Sequence, residues 1–286
     1  MNAQFWLIQS FNGISYGALL FLLASGLTLI FGVMRIVNLA HGAYFLLGGY
    51  VALSVIATTG SWVLAVPVAA LLVAMVGLVM ERVFLRPLGF DPLRQVLLTV
   101  GFAFLFQQAA LDIWGGDSLD IIPPDMLRGS TVIGGFHLPV YRIFMIGMAG
   151  VLGSILWLVM EKTRAGAMIR AAVDDSEMAR GVGIDTSRVS MFIFALGAFL
   201  AALGGVIGGG FLGIYPGLDF EILPVAFAVV IIGGMGSLTG AAVGSLIVGL
   251  ADNFGKALFP EVSYFTLYAP MVLILAVRPT GLFGRE

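Results

Sequence analysis

Long uncharged apolar runs alternate along this chain with short polar connections. Residues 1–34 carry no charged side chain, and residues 36–80 carry none apart from His41. Two further uncharged runs, 189–218 and 222–251, hold thirty residues each. A helix of about 20 apolar residues crosses a hydrocarbon core of about 30 Å, so these runs predict membrane spans. They lack the alternation of apolar and polar positions that a transmembrane β-barrel needs. The expected fold is all-α, a polytopic transmembrane bundle of about eight to nine segments, some broken or re-entrant.

The pattern predicts spans near 5–31, 39–58, 62–80, 95–111, 141–160, 189–212 and 263–277. Residues 221–235 and 237–251 read as two segments broken at Gly233-Gly234-Met235-Gly236-Ser237. If one of them re-enters without crossing, the count is eight rather than nine. Residues 81–94 read as a charged loop, 112–140 as an extracytoplasmic loop with four aspartates, and 161–189 as a cytoplasmic loop. Residues 1–286 then form a single transmembrane domain.

Basic residues set orientation. Arg35, the 81–94 and 161–188 stretches and the C-terminal tail hold eleven of the fourteen, which predicts a periplasmic N-terminus and a cytoplasmic C-terminus. No basic residue precedes the first apolar run, which is too long for a cleaved signal peptide. Composition agrees: 60% of residues are hydrophobic and 10% charged, against about 25% charged in soluble domains, and mean hydropathy is +1.06. With no cysteine, disulfides and thiolate chemistry are excluded. The net charge of −2 says little about partners for a surface that mostly faces lipid.

One stretch breaks the apolar rule. Residues 32–49 carry Arg35, Asn38 and His41 within the most apolar region. Polar groups in hydrocarbon are expensive unless they line a protein interior or a water-filled path. Arg35 fits the cytoplasmic edge. Asn38 and His41 lie nearly one helical turn apart and can share a face. They read either as a helix cap and a satisfied core histidine or as the lining of a path, and the two readings are compatible. Gly42, Gly233 and Gly234 join them as candidate path residues, because transporters built from repeats place substrate at glycine-interrupted segments. Gly32-x-Met34 and Gly233-x-Met235 align with Leu46 to Ile247 and Gly48 to Gly249. Such matches also arise easily in glycine-rich apolar sequence, so an internal repeat stays open. Asp219 and Glu221 read either as entrance residues or as a solvated helix start.

Catalysis and nucleotide binding find little support. The histidines are His41 and His137, and no His-Glu-x-x-His pair occurs. Lys256 lacks the glycine spacing and the following Ser/Thr of a phosphate-binding loop. Gly208-Gly209-Gly210-Phe211-Leu212-Gly213 matches Gly-x-Gly-x-x-Gly formally, but it ends an apolar run with no strand before it. Neither a catalytic nor a metal-binding residue is expected.

The 163–188 stretch is the most informative polar segment. Arg164 through Ala172 suit a short helix, Asp174 or Asp175 can N-cap a second one with Glu177 in its first turn, and Gly183 suits its end. Such a pair can dock in a groove on a partner, or be a solvated loop. Its residues, with Glu177-x-Ala179-x-x-x-Gly183-Ile184, resemble the coupling loop of ABC-importer permeases. So do Gly26-Leu27-Thr28-Leu29-Ile30-Phe31-Gly32, Asn38-Leu39-Ala40-His41-Gly42, Gly233-Gly234-Met235-Gly236-Ser237-x-x-Gly240-Ala241 and Arg278-Pro279-x-Gly281-Leu282-Phe283-Gly284. In matching order along the whole chain, these resemble the LivH type of branched-chain amino-acid permease. Urea and short-amide permeases share much of the pattern. An ATP-independent transporter or channel is the reading from another class.

The resemblance implies a multi-pass subunit of the bacterial inner membrane that is not an enzyme and binds no cofactor itself. It implies a second permease subunit, identical or similar, and two ATPase subunits that use ATP on the cytoplasmic face. A periplasmic binding protein would deliver the substrate, and nucleic acid plays no part. Arg170, Ala171, Asp174, Asp175, Glu177, Ala179 and Gly183 are the implied coupling residues.

Overall fold

The computed structural model describes residues 3–89 and 91–284. Arg285, counted above in the basic tail, lies outside them. The chain begins with α1 (Ala3–Met34) and reverses at Arg35, whose φ of 55° is the one positive value at a described non-glycine residue. After an irregular connection comes α2 (His41–Thr59). Gly60, at φ 67°, ends it, and Ser61 caps α3 (Trp62–Val79) by accepting from the Leu64 N–H.

The charged stretch after α3 is not the loop its composition suggested. A π-helical turn (Met80–Leu85) and a 3-10 turn (Arg86–Leu88) carry the helix on, because Met80 and Leu85 are buried in the bundle. Asp91 then caps α4 (Pro92–Trp114). The outer connection folds into a hairpin, β1 (Ser130–Ile133) paired antiparallel with β2 (Phe136–Pro139). Gly134 and Gly135, at φ 60° and 84°, supply its turn, as two-residue hairpins require. Leu119 and Ile214 exchange backbone hydrogen bonds of 2.8 and 2.7 Å, tying this connection to the segment after α8.

Next come α5 (Val140–Lys162), the short α6 (Arg164–Asp174) and α7 (Ser176–Gly181), and α8 (Thr186–Leu212). The predicted pair near Gly233 is α9 (Leu218–Gly233) and α10 (Leu238–Leu258), and α11 (Ser263–Val277) follows. Among the described residues, eight helices are long and apolar enough to cross a membrane. The sixteen-residue α9 is not one of them.

Helices α1 and α8 are the most enclosed, while α4, α5 and α11 turn most of their surface outward. Glycine makes the centre this dense. A Cβ on Gly26 would lie 2.6 Å from the Gly197 carbonyl oxygen, and one on Gly249 would overlap backbone of Gly13 and Gly17. Where lipid is as apolar as leucine, such close backbone approach drives helix association through van der Waals contact.

The tail after α11 folds back under α9. Leu282 and Phe283 donate N–H groups to the carbonyls of Ile232 and Gly233 at 2.9 and 3.0 Å. These carbonyls end a helix and would otherwise lack partners.

Candidate functional site

The polar island is built by the break between α1 and α2. Leu23, which accepts a 3.0 Å hydrogen bond from His41 Nε2, lies eleven residues before the end of α1. At 1.5 Å per residue this places His41 about 16 Å back along α1. Residues 35–40 therefore fold back against the bundle rather than skirting its edge. Irregular backbone survives at such depth only when buried in protein with its polar groups satisfied. Here Leu39 N–H donates to Thr99 Oγ1 at 3.2 Å, Ala40 N–H to Asn38 Oδ1 at 3.1 Å, and His41 N–H to the Asn38 carbonyl at 3.3 Å.

The reading of Asn38 as a cap and His41 as a satisfied core histidine is met in part. Ala40 occupies the helix-cap position and provides no side-chain bond, whereas Asn38, two residues before it, closes a turn. Because a carbonyl only accepts, Nε2 of His41 carries a proton and Nδ1 of the neutral ring is left as an acceptor. His41 Nδ1 is buried without a hydrogen-bond partner, and the Asn38 amide faces the Tyr44 hydroxyl. A Cβ on Gly42 would overlap the Asp219 carbonyl oxygen, so this glycine lets α2 meet the start of α9.

Gly233 and Gly234 are not brought to this point. Gly42 meets α9 at Asp219 and Leu223, and ten residues of helix, about 15 Å, separate Leu223 from Gly233. Gly233 instead lies against Gly240, and Gly234 against the tail at Gly281 and Gly284. The two breaks aligned in sequence nevertheless touch, since Gly236 N–H donates to Thr28 Oγ1 at 3.0 Å and packs on Gly32.

Asp219 corrects the reading of a solvated helix start. It is 1% exposed, and no side chain hydrogen-bonds either carboxylate oxygen. The chain dips inward through Ile214, fully buried against Gly49, before α9 begins. Glu221 behaves as expected of an exposed residue and accepts from Tyr215 Oη at 2.8 Å. Burial and this carboxylate push the Tyr215 phenol up to about 12. Sequence reasoning also missed Tyr50, whose hydroxyl is buried without a partner, and Glu81, which is 2% exposed. An uncharged tyrosine in an apolar run gives no signal of its partners, and the arginines around Glu81 disguised it.

The 163–188 stretch forms the expected helix pair. Thr163 caps α6, and a Cβ on Gly166 would overlap main chain at Met160, which fixes the tight corner after α5. Asp175, rather than Asp174, caps α7, accepting from the N–H groups of Glu177 and Met178 at 2.9 Å each. Gly183, at φ 88°, ends it, with Gly183 N–H bonded to the Arg180 carbonyl and Ile184 N–H to that of Ala179. That pairing is a Schellman motif, which satisfies the last carbonyls of a helix. Ala179 is buried, Ala171 accepts from Asp175 N–H, and Arg170 reaches Glu161 at 4.0 Å. Glu177, Met178 and Val182 stand exposed around α7, the last two 66% and 72% exposed.

Two motifs with enzymatic overtones are helical. Gly208–Gly210 complete α8 rather than cradle a nucleotide. Gly13-Ile14-Ser15-Tyr16-Gly17 spells Gly-x-Ser-x-Gly, but it lies within α1, where Ser15 Oγ donates to the Phe11 carbonyl at 2.7 Å. A nucleophile elbow needs a strand-to-helix turn.

A buried polar helix break inside a multi-span bundle, joined to capped helices on one face, is the layout of a membrane permease. The chain belongs to the family of branched-chain amino acid transport system permease components, which matches residues 9–275. It is 33% identical to the high-affinity branched-chain amino acid transport system permease protein LivH of Escherichia coli (strain K12), over 100% of this chain and 98% of that one. It is 30% identical to BraD of Pseudomonas aeruginosa, a permease protein of the same description, over 98% and 96%. A probable LivH of Methanocaldococcus jannaschii is 26% identical over 96% and 91%. No solved structure matches the chain. The chain is thus a transport subunit and not an enzyme, and a multi-pass protein of the inner membrane. Permeases of ABC importers act with ATPase and substrate-binding partners.

Proposed function

We propose that this chain and a second permease subunit enclose the path of an ATP-driven importer of branched-chain amino acids in a bacterial inner membrane. The N-terminus faces the periplasm, where a binding protein delivers substrate and supplies most of the selectivity. Two ATPase subunits bind and hydrolyse ATP on the cytoplasmic face, and this chain binds no cofactor. Their closure pushes on α6 and α7 through Arg170, Ala171, Asp174, Asp175, Glu177, Ala179 and Gly183. The tilt passes to the spans around Asn38, His41 and Gly42, with Gly233 and Gly234 closing the inner end.

The observation that carries this reading is the break at residues 35–40, where Asn38 and the adjoining His41 are fully buried and His41 Nδ1 has no partner. Polar atoms held at that depth mark a path by default. The exposed, doubly capped α7 supports docking. The test is reconstitution with both ATPases, a second permease and the binding protein. Leucine uptake that requires ATP and all partners is expected, with none for urea. Uptake by this chain alone would sink the proposal.

A further inference from the structure

Three buried acids occur among the described residues, and two of them face cations. Asp252 pairs with Lys256 at 2.8 Å, and Glu81 faces Arg82 and Arg86. Asp219 has no cation facing it. The backbone N–H groups of Gly217, Asp219 and Phe220 at the start of α9 face its carboxylate, and no side chain pairs with it. A carboxylate in that position is expensive to keep, so its presence calls for a function.

The surroundings are equally incomplete. The Tyr50 hydroxyl, within electrostatic range of Asp219, is fully buried and unpaired. His41 Nδ1, an acceptor in the neutral ring, lies at the start of the same helix and is also unpaired. Pro224 has no N–H, which removes the usual i+4 donor for the Phe220 carbonyl in the same turn. One helical turn beyond Asp219, Leu223 lines a cavity of about 470 Å³ between α4, α9 and α11. Leu39, Val100, Phe227, Ile231 and Met271 also face it, making its wall almost wholly apolar. Leu39 and Leu223 bring the cavity to the Gly42 contact with α9.

We infer that Asp219 is the recognition point for the α-ammonium of the transported amino acid, with the apolar cavity one turn along α9 receiving its branched side chain. This rests on the importer reading above. When the path opens, the ammonium donates to the Asp219 carboxylate and His41 Nδ1, while Tyr50 Oη donates to the substrate carboxylate. A helical turn of about 5.4 Å matches the span of a leucine from its nitrogen to its methyl groups. Because the other charged atoms of the site arrive with the substrate, the empty path holds no strong trap for a zwitterion.

The test uses the full complex in proteoliposomes, with leucine uptake and ATP hydrolysis measured together. Asp219→Asn keeps the shape and removes the charge. It is expected to assemble and to lose about ten-fold or more of its uptake. Tyr50→Phe, which deletes one hydroxyl, is expected to raise the KM for uptake several-fold. Met271→Trp, which fills the cavity, is expected to lower uptake with the subunits still paired. Native transport lacking in the unmutated complex would sink the importer reading itself. Native uptake in Asp219→Asn or, should that variant not assemble, a native KM in Tyr50→Phe overturns the ammonium site. Loss of the second permease from Met271→Trp overturns the cavity, making that face a subunit contact.

Discussion

Gly26 supports the break from behind, and replacing it with alanine tests the site most directly. Its Cβ would lie 2.6 Å from the Gly197 carbonyl oxygen, 3.0 Å from the Gly197 Cα and 3.1 Å from Cε1 of His41. Two of the three are main-chain atoms and cannot rotate aside. Ordinary contact begins at 3.4 Å, so α1 and α8 must part by about 0.8 Å in the densest layer of the bundle. Overpacking of that kind costs about 1–3 kcal/mol. The new methyl also presses on the imidazole edge beside Nε2, whose 3.0 Å bond to Leu23 is its anchor. Losing that bond in a buried setting adds about 1–3 kcal/mol. The total is about 2–6 kcal/mol, enough to lower the melting temperature clearly and to impair uptake. Gly147, on the outward face of α5, has nothing within 4 Å of its Cβ position. Gly147→Ala is expected to leave melting unchanged or raise it, since alanine favours helix over glycine by about 1 kcal/mol. Melting of detergent-purified complex and leucine uptake in proteoliposomes read both variants. A Gly26→Ala complex that melts and transports like the native one would refute the packing described for this layer.

Asp175→Ala removes the acceptor of two N–H groups and should destabilise α7 by about 1 kcal/mol, seen as ATP hydrolysis retained with uptake reduced. Glu177→Arg and Gly183→Trp should uncouple hydrolysis from transport while the chain stays in the membrane; unchanged transport in both removes the coupling role. Glu221→Gln takes away a carboxylate that raises the Tyr215 phenol, so tyrosinate absorbance of that residue should appear at lower pH. Deleting residues 279–286 frees the carbonyls of Ile232 and Gly233, and a lower melting temperature is expected.

The spans were legible because hydrocarbon tolerates few charges, and the α7 boundaries, with Asp174 or Asp175 before it and Gly183 after it, announced themselves through capping chemistry. The extent of α3 was not legible. Charge at Glu81, Arg82 and Arg86 suggested a loop, yet the buried Met80 and Leu85 hold the helix. At the candidate site, Asn38 and His41 stood out as polar residues in apolar surroundings. Tyr50 did not, and Asp219 read as an entrance residue or a solvated helix start, because burial depends on how the 213–217 segment dips, and a sequence records no depth. Gly233 and Gly234 carried a pattern shared with the break at 35–40, but their distance from His41 is set by the length of α9.

The glycine contacts at Gly26, Gly197, Gly249 and Gly13 have a mechanical consequence. Interlocked side chains fix two helices in register, since a shift must lift every knob from its hole. A glycine seam has few knobs, here Ile30 against Gly197 and Leu250 against Gly13. Displacing one helix along such a seam exchanges each weak Cα–H···O contact for its neighbour. The inner helices can therefore shear past one another, while the bulky outer faces of α4, α5 and α11 stay seated. Transport strokes would then run along the glycine, and the outer side chains would act as the frame.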